Sequence, residues 1–192
     1  MDKTYTWTVD VEGDGGGRVD SYQGLDKGLP LILDTFERRK IKGLFFISTE
    51  IMEKRAGVIA DIQKAGHELG CHGHFHTCFK ESWRARQNML MSQSILSNYQ
   101  ESPFHWRAPK FSTIFHNHRY SDPKGHIGLL KHTWFGGRIP ENPIFYLHPF
   151  DLVESDETPP NLFCKIWYSA SKLAREKFSQ LTRLHPGNVR LS

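Results

Sequence analysis

The order of apolar and polar positions divides the chain into short segments that change period. Residues 4–10, TYTWTVD, alternate and are rich in β-formers, which predicts a first strand ending in an aspartate. A glycine-rich stretch, GDGGGR, follows. Residues 25–40 place Leu29, Ile32, Leu33 and Phe36 at helical spacing, with basic residues in the last turn. Gly43 restarts the chain as LFFIS, an unbroken apolar run of the kind a fully buried strand shows. Residues 50–65 predict a second helix, weakened at Gly57 and capped by Gly66. Residues 67–71 predict a strand, and residues 81–99 a third helix with Met89, Met91, Ile95 and Leu96 on or near its apolar face. Residues 104–108 and 144–147 predict two more strands. Residues 162–184 predict a closing amphipathic helix with Ile166, Leu173, Phe178 and Leu181 turned inward. The stretch 112–142, rich in His, Gly and Pro, predicts no element. Strands alternating with helices over short links point to an α/β domain with a parallel sheet. No repeat, low-complexity tract or linker divides residues 1–192, so one domain is expected.

Composition narrows the class. A chain of 192 residues is long enough to build a full core without disulfides. Apolar residues make up 38% and charged residues 24%, which excludes a disordered or fibrous chain. No apolar run approaches the ~18–20 residues of a membrane span. The opening MDKTYTWTVD lacks the apolar core of a signal peptide, and Cys71, Cys78 and Cys164 cannot all pair within one chain; a cytoplasmic protein is expected. The net charge is +4, and apart from Arg38-Arg39-Lys40 the basic residues are interleaved with acidic ones. That pattern reads as a solvated surface rather than a nucleic-acid interface.

The chemistry concentrates at predicted strand ends, where parallel α/β folds gather reactive groups. Asp10 and Glu12 end the first strand, His72, His74 and His76 follow the third, Arg107 ends the fourth, and His148 ends the last. A single such residue is ordinarily a cap or a salt-bridge partner. Two or three histidines within five residues, together with a carboxylate from another strand, make the His/His/carboxylate set of catalytic metal centres. Gly15-Gly16-Gly17 lacks the Lys-Ser/Thr ending of a phosphate loop. Cys71 and Cys78 do not have zinc-knuckle spacing, so buried thiols are expected. The pair His116 and His118 reads as a solvent-facing loop.

The segments TVDVEGD, HELGCHGHFH, FHWRAPKFS and FYLHPFDL, in that order, resemble the signature segments of the NodB-homology polysaccharide deacetylases, carbohydrate esterase family four, and most of all its intracellular-type branch. The resemblance runs from Thr6 to about Leu152. It implies a distorted (β/α) barrel and removal of N-acetyl groups from an amino sugar with the help of a divalent metal, Zn or, with the same ligands, Co or Ni. On this resemblance Asp10 is the general base, Arg107 orients it, and His148 is the acid. His72 and His76 are metal ligands; Glu12 is the carboxylate ligand, with Asp14 as the alternative. Leu147 lies beside the acetyl methyl, and His74 and Trp134 contribute to substrate binding. Amide hydrolysis fits these roles: it needs an activated water, a charge facing the developing oxyanion, and a proton for the leaving amine.

Three departures carry expectations of their own. The interval from Arg107 to His148 is short, as though about one strand–helix unit were missing. Trp134, in KHTWFGG, lacks a neighbouring aspartate to hold the histidine acid, with Asp122 the nearest substitute. Lys110 stands where an aromatic residue is usual. The site is therefore expected to be open, its acid poorly supported, and its activity to fall early above neutral pH. The sequence leads to a metal-dependent N-deacetylase acting on an N-acetylated sugar or a related amide; the alternative is a protein of this fold that binds metal and carbohydrate with little or no turnover.

Overall fold

The structure, a computed structural model, describes residues 5–101, 105–111, 126–129, 132, 137, 139–154 and 171–186. Its centre is a parallel six-stranded sheet: β1 Thr6–Val11, β2 Leu44–Ile47, β3 Glu68–Cys71, β4 His105–Trp106, β5 His126–Gly128 and β6 Ile144–Leu147. The strands lie in the order β4-β3-β2-β1-β6-β5, which puts β1 near the middle. In register, Val11 lies opposite Ile47, Ile47 opposite Cys71, and Cys71 opposite Trp106, while Val9 lies opposite Leu147. The carboxyl ends of β1, β2, β3 and β4 therefore finish at one level, and β6 ends two residues earlier, so that the chain following it runs alongside the end of β1.

Strand β1 explains why a polar-alternating sequence can sit at the centre of a parallel sheet. Trp7, Val9 and Val11 join the main core, where Trp7 stacks on Phe145 with ring centres 4.5 Å apart and meets Phe36 and Phe178 edge-on. The alternate residues Thr8, Asp10 and Glu12 lie on the opposite face and are buried too. That second face carries a small apolar cluster, Leu44, Phe46 and Ile144, and beyond it the polar site.

The helices follow the apolar stripes with adjustments. Helix Leu29–Arg39 buries Leu29, Ile32 and Phe36, and is preceded by a wider turn at Gly24–Gly28. The expected helix over 50–65 is broken into a 3₁₀ turn, Thr49–Glu53, and a helix, Val58–Lys64, with the interruption just before Gly57. In helix Ser82–Leu96 the buried positions are Ala85, Asn88, Ser92 and Leu96, and Met91 is exposed. Two of the inward positions are polar, Asn88 and Ser92, and Asn88 bonds to the loop after β3, which is why an apolar-stripe reading misplaced Met91. Helix Ser171–Leu184 turns Ala174, Phe178 and Leu181 inward and leaves Leu173 exposed; Ile166 and Cys164 lie outside the described residues. Cys71 is buried, its thiol pushed up to about 11 by burial, whereas Cys78 is exposed, contrary to expectation. Strand β5 arises inside the stretch for which the sequence predicted no element. Among the described residues no helix is long and apolar enough to cross a membrane.

One core histidine ties stability to pH. His67 stacks on Phe45 with ring centres 4.9 Å apart and accepts the Gly43 N–H at Nδ1. Burial, helped by Lys42, lowers its pKa to about 4. The unfolded chain takes up this proton near the ordinary value of about 6.5, while the folded chain resists it down to about 4, so stability falls as pH drops through that window. His67→Asn keeps an acceptor and removes the titration. Its melting temperature should fall less than the wild type's between pH 6.5 and 4; parallel curves would assign the acid sensitivity elsewhere.

Candidate metal centre and active site

Glu12, His72 and His76 converge at the carboxyl ends of β1 and β3. Glu12 Oε2 lies 3.3 Å from His72 Nε2 and 2.7 Å from His76 Nε2, and all three side chains are buried. The partners of the other ring nitrogens fix the tautomers. His72 Nδ1 lies 2.8 Å from the Arg107 carbonyl and His76 Nδ1 lies 3.0 Å from the Gly16 carbonyl. A carbonyl accepts, so each Nδ1 carries the hydrogen and each neutral ring turns a bare Nε2 toward the carboxylate. Three lone-pair donors around one point require a positive charge between them, a proton or a cation, and an outer N–H held by a backbone carbonyl is the usual support of a metal-binding histidine. Burial raises Glu12's pKa, but with a proton as that positive charge, hydrogen bonds from His72 and His76 more than reverse this and leave it well below the ordinary carboxylate range. The same Glu12 carboxylate favours a proton on His76 and raises its pKa against the pull of burial. These residues fit a divalent cation.

The local chain explains the i, i+4 histidine geometry. After β3, Thr49 N donates to Gly73 O and Glu50 N donates to His74 O. Asn88 accepts Phe75 N at Oδ1 and donates to Phe75 O, while Glu50 Oε1 accepts His76 N. The loop is thus held on two sides. Gly16 completes the support: its φ is +72°, and a Cβ there would come within 3.2 Å of His76 Cε1. Asp14 is not a competing ligand. Its oxygens are taken by Ser21 Oγ and by the Gln23 and Gly24 N–H groups, which makes it a clamp for the turn that follows.

Beside the cluster, Arg107 donates to Asp10 Oδ1 at 2.5 Å and to Thr8 Oγ1 at 2.8 Å, with its guanidinium 4.3 Å above the Phe46 ring centre. Burial would raise Asp10, but Arg107, then His72 and His148, hold it below its ordinary value, so it is ionised at neutral pH. Arg107 therefore supports both halves of the site, one with its side chain and the other with its carbonyl.

His148 Nε2 faces both carboxylates, 3.9 Å from Asp10 Oδ2 and 3.7 Å from Glu12 Oε1. Its missing carboxylate is present after all. Asp151, three residues on in HPFD, accepts the His148 N–H at 2.8 Å and lies 3.3 Å from Nδ1. Burial would lower His148; the Asp151 charge and hydrogen bond, followed by Glu12 and Asp10, push it up to about 9. The expectation of an unsupported acid is corrected: a 3₁₀ turn, Pro149–Leu152, starting at the histidine supplies the partner locally. The signal was a proline at the first turn position and an acid two residues later.

An open-mouthed cleft of about 200 Å³ lies over these groups, and its lining includes Tyr146 and Phe150 as well as Asp10, Glu12 and His148. Leu147 does not line it. Strand alternation sends Leu147 into the main core and Tyr146 to the cleft side, where burial raises the phenol's pKa. His74 is also absent from the lining; its Nδ1 lies 3.0 Å from Thr49 Oγ1. Trp134, Asp122, His116 and His118 lie outside the described residues.

The polysaccharide deacetylase family profile matches residues 19–121, more than half of the chain, a span that holds His72, His76 and Arg107. No curated protein sequence matches. Among solved structures, a CE4 family pseudoenzyme from Bacillus anthracis superposes over 97% of this chain and 67% of its own at 14% identity and a TM-score of 0.57. A mutant of it with restored enzymatic activity gives 97%, 69%, 15% and 0.59. Peptidoglycan deacetylase PdaC from Bacillus subtilis gives 95%, 84%, 13% and 0.60. At these identities the likeness is one of fold, and it extends to the family's barrel-like α/β architecture. The chain belongs to the polysaccharide deacetylase family.

Proposed function

We propose that this protein is a divalent-metal-dependent hydrolase that removes N-acetyl groups from an amino sugar. The observation that carries the reading is the convergence of the bare Nε2 atoms of His72 and His76 with Glu12, directly beside an ionised Asp10 and a supported His148. A divalent cation held by Glu12, His72 and His76, Zn being the best match to two imidazoles and a carboxylate, supplies Lewis acidity to the acetyl carbonyl and to water. Asp10 accepts the proton of the attacking water, and Arg107 keeps it ionised and aimed. His148 delivers a proton to the departing nitrogen, so water is consumed and acetate and a free amine are formed. Tyr146 and Phe150 wall the cleft against water.

The protonated state of His148 favours amide over ester cleavage, because an amine needs that proton to leave. Offered an N-acetylglucosamine oligomer and an O-acetylated xylo-oligosaccharide, the protein should release acetate from the first, with one free amine per acetate. Acetate from the ester substrate alone would overturn the reading. Metal binding without acetate from either would mark a binding protein of this fold.

The pH profile follows from the signs. Asp10 is held below the ordinary carboxylate range, so the acid limb lies low; His148 is an acid with a pKa of about 9, so activity falls as pH rises through about 9. Asp151→Asn removes the largest influence raising His148. The alkaline limb should move toward the ordinary histidine value of about 6.5. An unmoved limb in the pH dependence of acetate release would show that Asp151 has no part in it.

A further inference from the structure

We propose, resting on the deacetylase reading above, that Asp14 is a positioning residue for the acid His148, acting through the wide turn Gly24–Gly28 that it holds against the turn Pro149–Leu152. Asp14 follows Glu12 by two residues and is fully buried, yet it does not line the cleft. Its oxygens divide between two consecutive N–H groups. Oδ1 accepts the Gly24 N–H at 2.9 Å, and Oδ2 accepts the Gln23 N–H at 2.9 Å and the Ser21 hydroxyl at 2.7 Å. A buried carboxylate is costly without such donors, so these three bonds fix where the wide turn begins.

The wide turn then meets the acid's turn backbone to backbone. Gly24 and Gly28 are buried and four residues apart, about one turn, so they present one face. A Cβ on Gly24 would lie 2.7 Å from Phe150 N and 2.9 Å from Phe150 Cα, and one on Gly28 would run into the Pro149 carbonyl oxygen. Gly28 has a helical φ of −77°, which any residue adopts, so what requires glycine here is space.

Pro149 and Phe150 follow His148 directly, so this contact sets where the imidazole points. The Phe150 ring stacks on it, with ring centres 4.7 Å and planes 17° apart, and Asp151 holds it one residue further on. From the other side Arg175 donates to the Leu152 carbonyl, which fixes the far end of the turn rather than the end next to the acid. Asp14 thus joins the end of β1, where Asp10 stands, to the segment that carries His148. Base and acid must face one substrate from set positions, and a displacement of about 1 Å can cost roughly 10²-fold in rate.

The test uses Asp14→Asn and Asp14→Ala, with Gly28→Ala pushing on the same contact from the other side. Asparagine keeps the size but turns an NH2 toward one of the two N–H groups, so it weakens the clamp as well. Should Asp14→Ala not fold, Asp14→Asn carries the comparison. Two substrates separate the acid from the rest of the site. An N-acetylglucosamine oligomer must have its leaving amine protonated, whereas 4-nitrophenyl acetate releases a phenolate that departs without a proton. The oligomer kcat should fall about 10–100-fold, with its KM and the ester turnover within about 2-fold of wild type and the metal retained. Hydrogen exchange supplies a readout that needs no turnover. The His148 and Asp151 N–H groups, which bond to Asp151 Oδ2 and the His148 carbonyl, should exchange faster by about 10-fold, while the His72 and Phe75 N–H groups keep their wild-type rates. Equal losses on both substrates, or faster exchange in the histidine loop as well, would make Asp14 a general structural residue and overturn the proposal. An oligomer kcat unchanged in the Asp14 variants would overturn it too. Faster exchange confined to the acid's turn, in a protein that releases no acetate from the oligomer, would overturn the deacetylase reading and leave the clamp in place.

Discussion

Asp10→Asn is expected to slow acetate release by about 10²–10⁴-fold while leaving the metal site filled. The substitution keeps shape and an acceptor oxygen for Arg107, but it removes the group that takes the water's proton. Metal content should survive because the bonds fixing His72 and His76 run to Glu12, Gly16 and the Arg107 backbone, not to the Asp10 side chain. Stability should drop modestly. Arg107 is fully buried, and a neutral partner accepts from a buried guanidinium less well than a carboxylate does, a difference of about 1–3 kcal/mol. A variant that stays within tenfold of wild-type acetate release would remove Asp10 from the base role.

The second large effect concerns the metal. Replacing the outer partner of a metal ligand costs roughly 10–100-fold in affinity, so removing a ligand should cost more than about 100-fold. His72→Ala and His76→Ala should each empty the site in purified protein, and Glu12→Gln should do the same. Asp14→Asn should keep its metal, because Asp14 is committed to Ser21, Gln23 and Gly24. Gly16→Ala offers a subtler check: the new Cβ would crowd His76 and strain a left-handed backbone, so occupancy should fall although no ligand is changed. Metal analysis of the purified variants decides these outcomes. Full occupancy in both histidine variants would contradict the assignment.

Much of this arrangement could be read in the sequence because it lies along single strands. The alternation of TWTVDV announced one face for the core and one for Asp10 and Glu12, and the five-residue HGHFH announced a ligand pair. What escaped was set by contacts between distant segments or by local turns. The face of helix Ser82–Leu96 that carries Asn88 and Ser92 serves the histidine loop, so its buried positions are partly polar and its stripe misleads. Gly16 lay in a glycine-rich stretch with no assigned role, and its need for glycine shows when His76, sixty residues on, is packed against it. Asp151 was visible but unread: an acid three positions after His148 forms a cap, and capping here also supports the acid. Strand β5 is three residues long, below the length at which period can be recognised.

Acetate release depends on a cation in the Glu12, His72 and His76 cluster acting together with Asp10. The most direct measurement strips the protein with a chelator, confirms that it remains folded, and follows acetate release from an N-acetylglucosamine oligomer as Zn is added back. Activity should be absent in the stripped protein, rise in proportion to added Zn and level off at one equivalent per chain, with His76→Ala showing no comparable rise. Acetate release that survives stripping, or a stripped protein that binds one equivalent and still releases none, would contradict the account.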